Sequence, residues 1–102
     1  MQIADVADVV AELEGVRRTA SSSRAEWRYH GRLVARELDD THIVIRADFD
    51  YRDAVLRQFP DTFRVPPRFR KHMMVVADLE SGDVGAIEDA LVAAWELQRA
   101  TG

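Results

Sequence analysis

Apolar residues at the start of the chain fall three or four apart, at Ile3, Val6, Val10 and Leu13, with acidic and small residues between them. That spacing predicts an amphipathic helix, and Gly15 stands where a left-handed residue would end it. After the small, polar segment Thr19–Ser23 the period changes to two. Ala25–His30 and Arg32–Leu38 read as paired strands about a turn at His30-Gly31. A second turn at Asp39-Asp40 leads to the strand Thr41–Ala47, whose centre is the β-branched run HIVIR. Asp50 is expected to cap a short helix with Asp53 at its third position. Tyr51, Val55, Leu56 and Phe59 form its apolar stripe, and Pro60 helps to stop it. Thr62–Val65 reads as a short strand, Pro66-Pro67 as a break, and Lys71–Leu79 as a further strand. Asp83 opens the last helix, on which Val84, Ile87, Leu91, Ala94 and Trp95 share one face.

The element order is therefore α-β-β-β-α-β-β-α. Hairpins dominate, so the expected architecture is α+β, a single antiparallel sheet with helices packed on one face. The first and last helices should pack together, with Trp95 largely buried. Leu13, Ile43, Ile45, Leu56, Val75 and Ile87 are expected in the core. If Trp27, Tyr29, Leu33, Ala35, Ile43 and Ile45 point to the helices, alternation sends Arg28, Arg32, Arg36 and Arg46 to the other face. Ideal two-residue turns do not keep all of these in register, so a wider turn or a bulge is required. That arginine face has two readings: a solvated surface whose long side chains cover apolar neighbours, or a second basic element.

Composition narrows the class. The 102 residues make one domain, 1–102, with 47% hydrophobic and 31% charged residues, which are globular values. No apolar run approaches the ~18 residues of a membrane span, so no membrane association is expected. The opening MQIADVADVV lacks the basic region of a secretory signal. The absence of cysteine excludes disulfides and thiolate metal sites and fits a cytoplasmic location. Arginine outnumbers lysine 13 to 1, as codon bias in a GC-rich genome would produce. Net charge is −4, yet the charge comes in blocks: residues 1–14 sum to −4, 15–36 to +5 and 78–102 to −5. Such blocks make a bipolar surface wherever the basic segments meet in space.

The sharpest of these blocks is Thr62–Ala77, TFRVPPRFRKHMMVVA, which holds Arg64, Arg68, Arg70, Lys71 and His72 and no acid. Two prolines stiffen it, and it reads as a basic loop feeding a strand. Phosphates are bound by cations free of competing carboxylates, and this window supplies them. Phe63 and Phe69 interleave with the arginines, either as rings that stack on bases or as anchors that fix the loop to the core. Other chemistries lack support. His30, His42 and His72 fall on separate strands or strand ends, with no metal-ligand spacing. Ser21, Ser22 and Ser23 have no nucleophile-elbow context, and the glycines form no phosphate cradle. No residue pair places a nucleophile beside a base. The chain is expected to be no enzyme and to need no cofactor or metal. The pI near 5.3 argues against a high-affinity general nucleic-acid binder.

Several segments carry a resemblance to a known family: LEGV at Leu13–Val16, WRYHGRLVARE at Trp27–Glu37 and IVIRADFDYRDAVL at Ile43–Leu56. FPDTFRVPP at Phe59–Pro67, MMVVADL at Met73–Leu79 and Ala94-Trp95 continue it. Together they resemble the MmcQ/YjbR family, small bacterial proteins with a frataxin-like (CyaY-like) fold, over essentially the whole chain. Glu14 replaces the proline of that family's Leu-Pro-Gly turn. The resemblance implies DNA binding through a double-wing arrangement, with Arg64, Arg68, Arg70 and Lys71 as the matching wing. Arg28, Arg32 and Arg36 join them if the sheet face continues the loop's positive surface. The shared fold implies an alternative, since frataxins use an acidic ridge on the first helix to bind iron weakly and to meet partners. Asp5, Asp8 and Glu12 lie at the spacing of such a ridge. A protein-interaction or weak cation-binding module is thus the second reading, beside a plain solvated helix face favoured by the helix dipole.

Overall fold

A computed structural model describes residues 1–19 and 23–101; Ser21 and Ser22 of the polar spacer lie outside the described residues. The first helix, α1 (Ile3–Ala11), buries Val6 and Val10. Its first turn is closed by Asp5, whose carboxylate accepts the Gln2 N–H at 2.7 Å. The helix ends earlier than its apolar spacing implies, and Gly15 takes φ +81° in the turn beyond it. A Cβ at Gly15 would sit 2.7 Å from a ring carbon of Tyr29, so the position needs both glycine's backbone freedom and its lack of a side chain.

Six strands follow or interleave with two more helices: β1 (Val16–Thr19), β2 (Glu26–Tyr29), β3 (Arg32–Glu37), β4 (His42–Arg46), α2 (Phe49–Gln58), β5 (Phe63–Arg64), β6 (Met74–Asp78) and α3 (Val84–Thr101). A 3-10 turn, Pro67–Phe69, lies between β5 and β6. The sheet runs β1-β2-β3-β4-β6-β5 with every neighbouring pair antiparallel. The expected α+β architecture is present, with one further strand, β1, ahead of the expected ones. That strand is only four residues long and two of them are exposed arginines, so it has no periodic signature. Its place comes from pairing with β2. The β2–β3 hairpin turns at His30-Gly31, both with positive φ, as a two-residue turn matched to strand twist requires. Asp48, not Asp50, caps α2: its carboxylate accepts the Tyr51 N–H at 2.8 Å, and Asp50 lies in the first turn. Asp83 caps α3 as expected, accepting the Ala86 N–H at 2.8 Å.

The helices cover one face of the sheet. Val6, Val10, Trp27, Ile43, Ile45, Val75, Ile87 and Leu91 meet there in one buried cluster, and Leu13 and Leu56 flank it, partly exposed. Trp95 stands outside this cluster, half-buried, against expectation. Its Nε1 donates to the carbonyl of Glu14 at 2.8 Å, and the Arg99 guanidinium lies 4.4 Å from its ring centre. An indole N–H needs a partner, and the α1–β1 turn offers one at the rim of the core.

The required bulge falls at Val34. Trp27 opposes Ala35 and Arg28 opposes Leu33, so Val34 is the extra residue, and it is fully buried. A bulge breaks the ladder locally, and the Leu33 carbonyl accepts instead from Gln98 Nε2 of α3 at 2.6 Å. The face away from the helices is not simply solvated. Val44 and Val76 are buried there beneath Phe69 of the basic loop.

Two substitutions test this packing by urea unfolding. Ile87→Ala removes a fully buried side chain and should cost about 2–5 kcal/mol. Gly15→Ala should cost at least about 1–2 kcal/mol for its left-handed backbone, before Tyr29 is displaced. A neutral Gly15→Ala would contradict the geometry of this turn.

Candidate nucleic-acid interface

The basic loop is held at three points. Pro66 and Pro67 set the 3-10 turn, in which the Phe69 N–H donates to the Pro66 carbonyl at 2.9 Å and the Arg70 N–H to Pro67 at 3.2 Å. Phe69, only 8% exposed, presses onto Val44 and Val76. The third point is Arg52 of α2. Its Nη1 donates to the carbonyls of His72 at 2.8 Å and Phe69 at 3.4 Å, and its Nη2 to Arg70 at 3.2 Å. This guanidinium is 9% exposed and lies 4.8 Å from the Phe49 ring centre. Arg52 has no carboxylate partner among the described residues; carbonyl dipoles and an aromatic face hold its charge.

With these carbonyls turned inward, Arg68, Arg70, Lys71 and His72 are left exposed. Arg64 is exposed on β5 opposite Val76, and therefore on the same side of the sheet. Among the described residues none of Arg64, Arg68, Arg70 and Lys71 forms an ion pair. Phe63 and Phe69 are both buried, so they anchor the loop and offer no ring to a base.

The sheet-face arginines divide three ways. Arg36 adjoins the loop: its guanidinium lies 5.8 Å from the Phe69 ring, which Arg68 also approaches at 4.8 Å. Arg28 shares that face but is tied to Glu26 at 2.9 Å and to the Gly31 carbonyl at 3.0 Å, which offsets its charge locally. Arg32 is opposite Tyr29, which packs against the helical core, so it stands on the helical side. This corrects the simple alternation, and the Val34 bulge is the reason: it swaps the faces of Leu33 and Arg32 relative to Ala35. Two further arginines share the loop's face: Arg46 opposite Met74, and Arg17 opposite Arg28. Arg17 could not be found by alternation without β1.

The same face ends in acids at the far end of β4 and β6. His42 Nδ1 lies 2.9 Å from Asp39, and its Nε2 lies 4.0 Å from Asp78. The Thr41 N–H, with His42 behind it, holds the Asp39 carboxyl below its usual range; the Ser81 hydroxyl does the same for Asp78. Both acids are stabilised as anions, so the positive surface is confined to the loop end. On the other side of the molecule Asp5 and Asp8 are exposed on α1 and Glu12 just past its end, and Asp5 and Asp8 border a shallow groove with Val9, Val84 and Glu88. Among the described residues no group of three or more His, Asp or Glu converges to hold a metal ion, and no helix is long and apolar enough to cross a membrane.

Sequence reading passed over Arg52, although its place three residues before the buried Val55 puts it on the apolar stripe. Arg52→Met keeps the bulk and removes the donors from the three loop carbonyls. It should destabilise the fold by about 1–3 kcal/mol and speed amide hydrogen exchange across residues 69–73. An exchange pattern like that of the parent would show that Arg52 does not hold the loop. Compared with known proteins, the chain matches no family model, no curated protein and no solved structure.

Proposed function

We propose that this protein is an MmcQ/YjbR-like DNA-binding protein that contacts phosphates through the loop cations Arg64, Arg68, Arg70 and Lys71. The observation that carries the reading is that these four side chains are exposed on a pinned loop and lack any carboxylate partner among the described residues. Pre-set cations lose little freedom on meeting a polyanion, and each can displace a condensed counterion. Arg36 extends the surface beside Phe69, and Arg46 and Arg17 continue it across the sheet. Arg28 contributes less because Glu26 already holds it, and Arg32 faces the helices.

Net charge does not oppose this reading. Asp5, Asp8, Glu12, Glu88 and Asp89 are exposed on the helical side, while Arg17, Arg36, Arg46, Arg64 and the loop cations lie on the opposite one. A duplex is therefore repelled from one side and attracted to the other. With both candidate aromatics buried, base stacking is absent and recognition is by phosphate, indifferent to sequence. The role is binding rather than catalysis, and a cytoplasmic location fits a chain without cysteine.

Titration of duplex DNA at two salt concentrations tests this. Affinity should lie in the range of non-specific binders, roughly 10⁻⁴–10⁻⁶ M at physiological salt. Arg68→Ala/Arg70→Ala/Lys71→Ala should lower the salt slope of log affinity by about three units, uniformly across sequences. Arg32→Ala should leave the slope unchanged. Binding that is salt-independent, or that survives the triple substitution intact, sinks the reading.

A further inference from the structure

β1 is an outer strand of the sheet, with β2 on one side and, among the described residues, no strand on the other. Val16 donates its N–H to the carbonyl of Leu13 at 3.1 Å, so its main chain is turned away from β2. Two residues on, Arg18 points its N–H and C=O the same way. Outside the ladder no main-chain bond among the described residues reaches either group. Beside this edge, between α1 and the sheet, lies a cleft of about 280 Å3 lined by Ala7, Val10, Ala11, Val16, Arg18 and Trp27. Arg18 is opposite Trp27 and stands on the cleft side; Arg17 is opposite Arg28 and stands on the other. Both are exposed, and neither has an ion pair among the described residues.

We propose that β1 accepts an extended segment of a partner protein as an added strand, and that this segment carries two adjacent acids followed by an apolar residue. Residues directly opposite on antiparallel strands share a face. A carboxylate opposite Arg18 meets its guanidinium at the cleft mouth, and one opposite Arg17 meets the second guanidinium on the far face. The next residue, opposite Val16, turns its apolar side chain into the cleft. Main-chain bonds to Arg18 supply affinity, and the two charges with the cleft supply selectivity. Pairing with β1 of a second copy is disfavoured, because it would set arginine against arginine. The surface shares Arg17 with the far end of the positive face but not the phosphate-binding loop, which joins the opposite edge of the sheet, and it does not rest on that reading.

The probe is a short capped peptide with Glu-Glu-Val between threonines, followed by amide chemical shifts of the whole protein. Shifts should concentrate on Val16–Thr19 and the cleft residues. Arg17→Gln/Arg18→Gln should weaken binding about tenfold or more. Methylating the peptide's backbone nitrogens should abolish it, whereas Arg68→Ala/Arg70→Ala/Lys71→Ala should leave it unchanged. Absence of shifts at residues 16–19 with millimolar peptide overturns the proposal. So does binding that survives N-methylation, or binding lost in the loop variant, which is plain charge attraction to the basic loop. Circular dichroism of the glutamine variant, expected to match the parent, separates lost binding from lost fold.

Discussion

Two neighbouring interior strands, β4 and β6, are apolar on both faces. Ile43, Val44 and Ile45 on one, and Val75, Val76 and Ala77 on the other, are wholly removed from water. A strand buried on both faces needs a cover on each side, and the helices supply only one. The second cover is Phe69, carried on the loop between β5 and β6. Removing Val44, Val76 and Phe69 from water is therefore the same event that folds the basic window onto the sheet. The arginines are gathered there because an aromatic ring among them is needed in the core.

Once Phe69 is seated, the loop's main chain lies against α2 and its carbonyls must find donors. Arg52 meets three of them with one guanidinium, a use to which its planar fork is better suited than a lysine's single ammonium. The outcome is a segregation of polar groups within the loop, carbonyls inward and cationic side chains outward. A similar accommodation occurs at the other end of the sheet. There the Val34 bulge strands the Leu33 carbonyl, and Gln98 of α3 supplies the donor. Both are polar side chains on helices that supply donors to main-chain carbonyls, of the loop in one case and of the bulged strand in the other.

Charge follows the layers. The helices need apolar residues only on the stripe that meets the sheet, and their outer surfaces carry Asp5, Asp8, Glu12, Glu88 and Asp89 in water. Cations dominate the opposite side, except where Asp39 and Asp78 gather about His42. A chain of net negative charge thus presents one positive surface. Its two halves differ in kind: Arg28 is neutralised by a near neighbour, while the loop cations have none to neutralise them.

The helices, the β2–β3 and β3–β4 hairpins, the His30-Gly31 turn and most of the core were legible in the chain, because periodicity and turn chemistry are local properties. The acid-free basic window was legible for the same reason. What escaped was set by pairing across distance. β1 exists because β2 offers it a ladder, and no residue within Val16–Thr19 announces a strand. The need for a bulge could be deduced from register, but its position at Val34, and with it the face of Arg32, was decided when β2, β3 and α3 packed together. Trp95 lay on a helical apolar stripe, yet the α1–β1 turn drew its indole N–H to the rim. Spacing puts Arg52 beside the apolar stripe of α2, but only the loop's carbonyls give its guanidinium a role. Residue spacing specifies which side chains share a face of one element; only the assembled sheet determines what each face meets, because a hydrogen bond or a buried contact requires both partners in place.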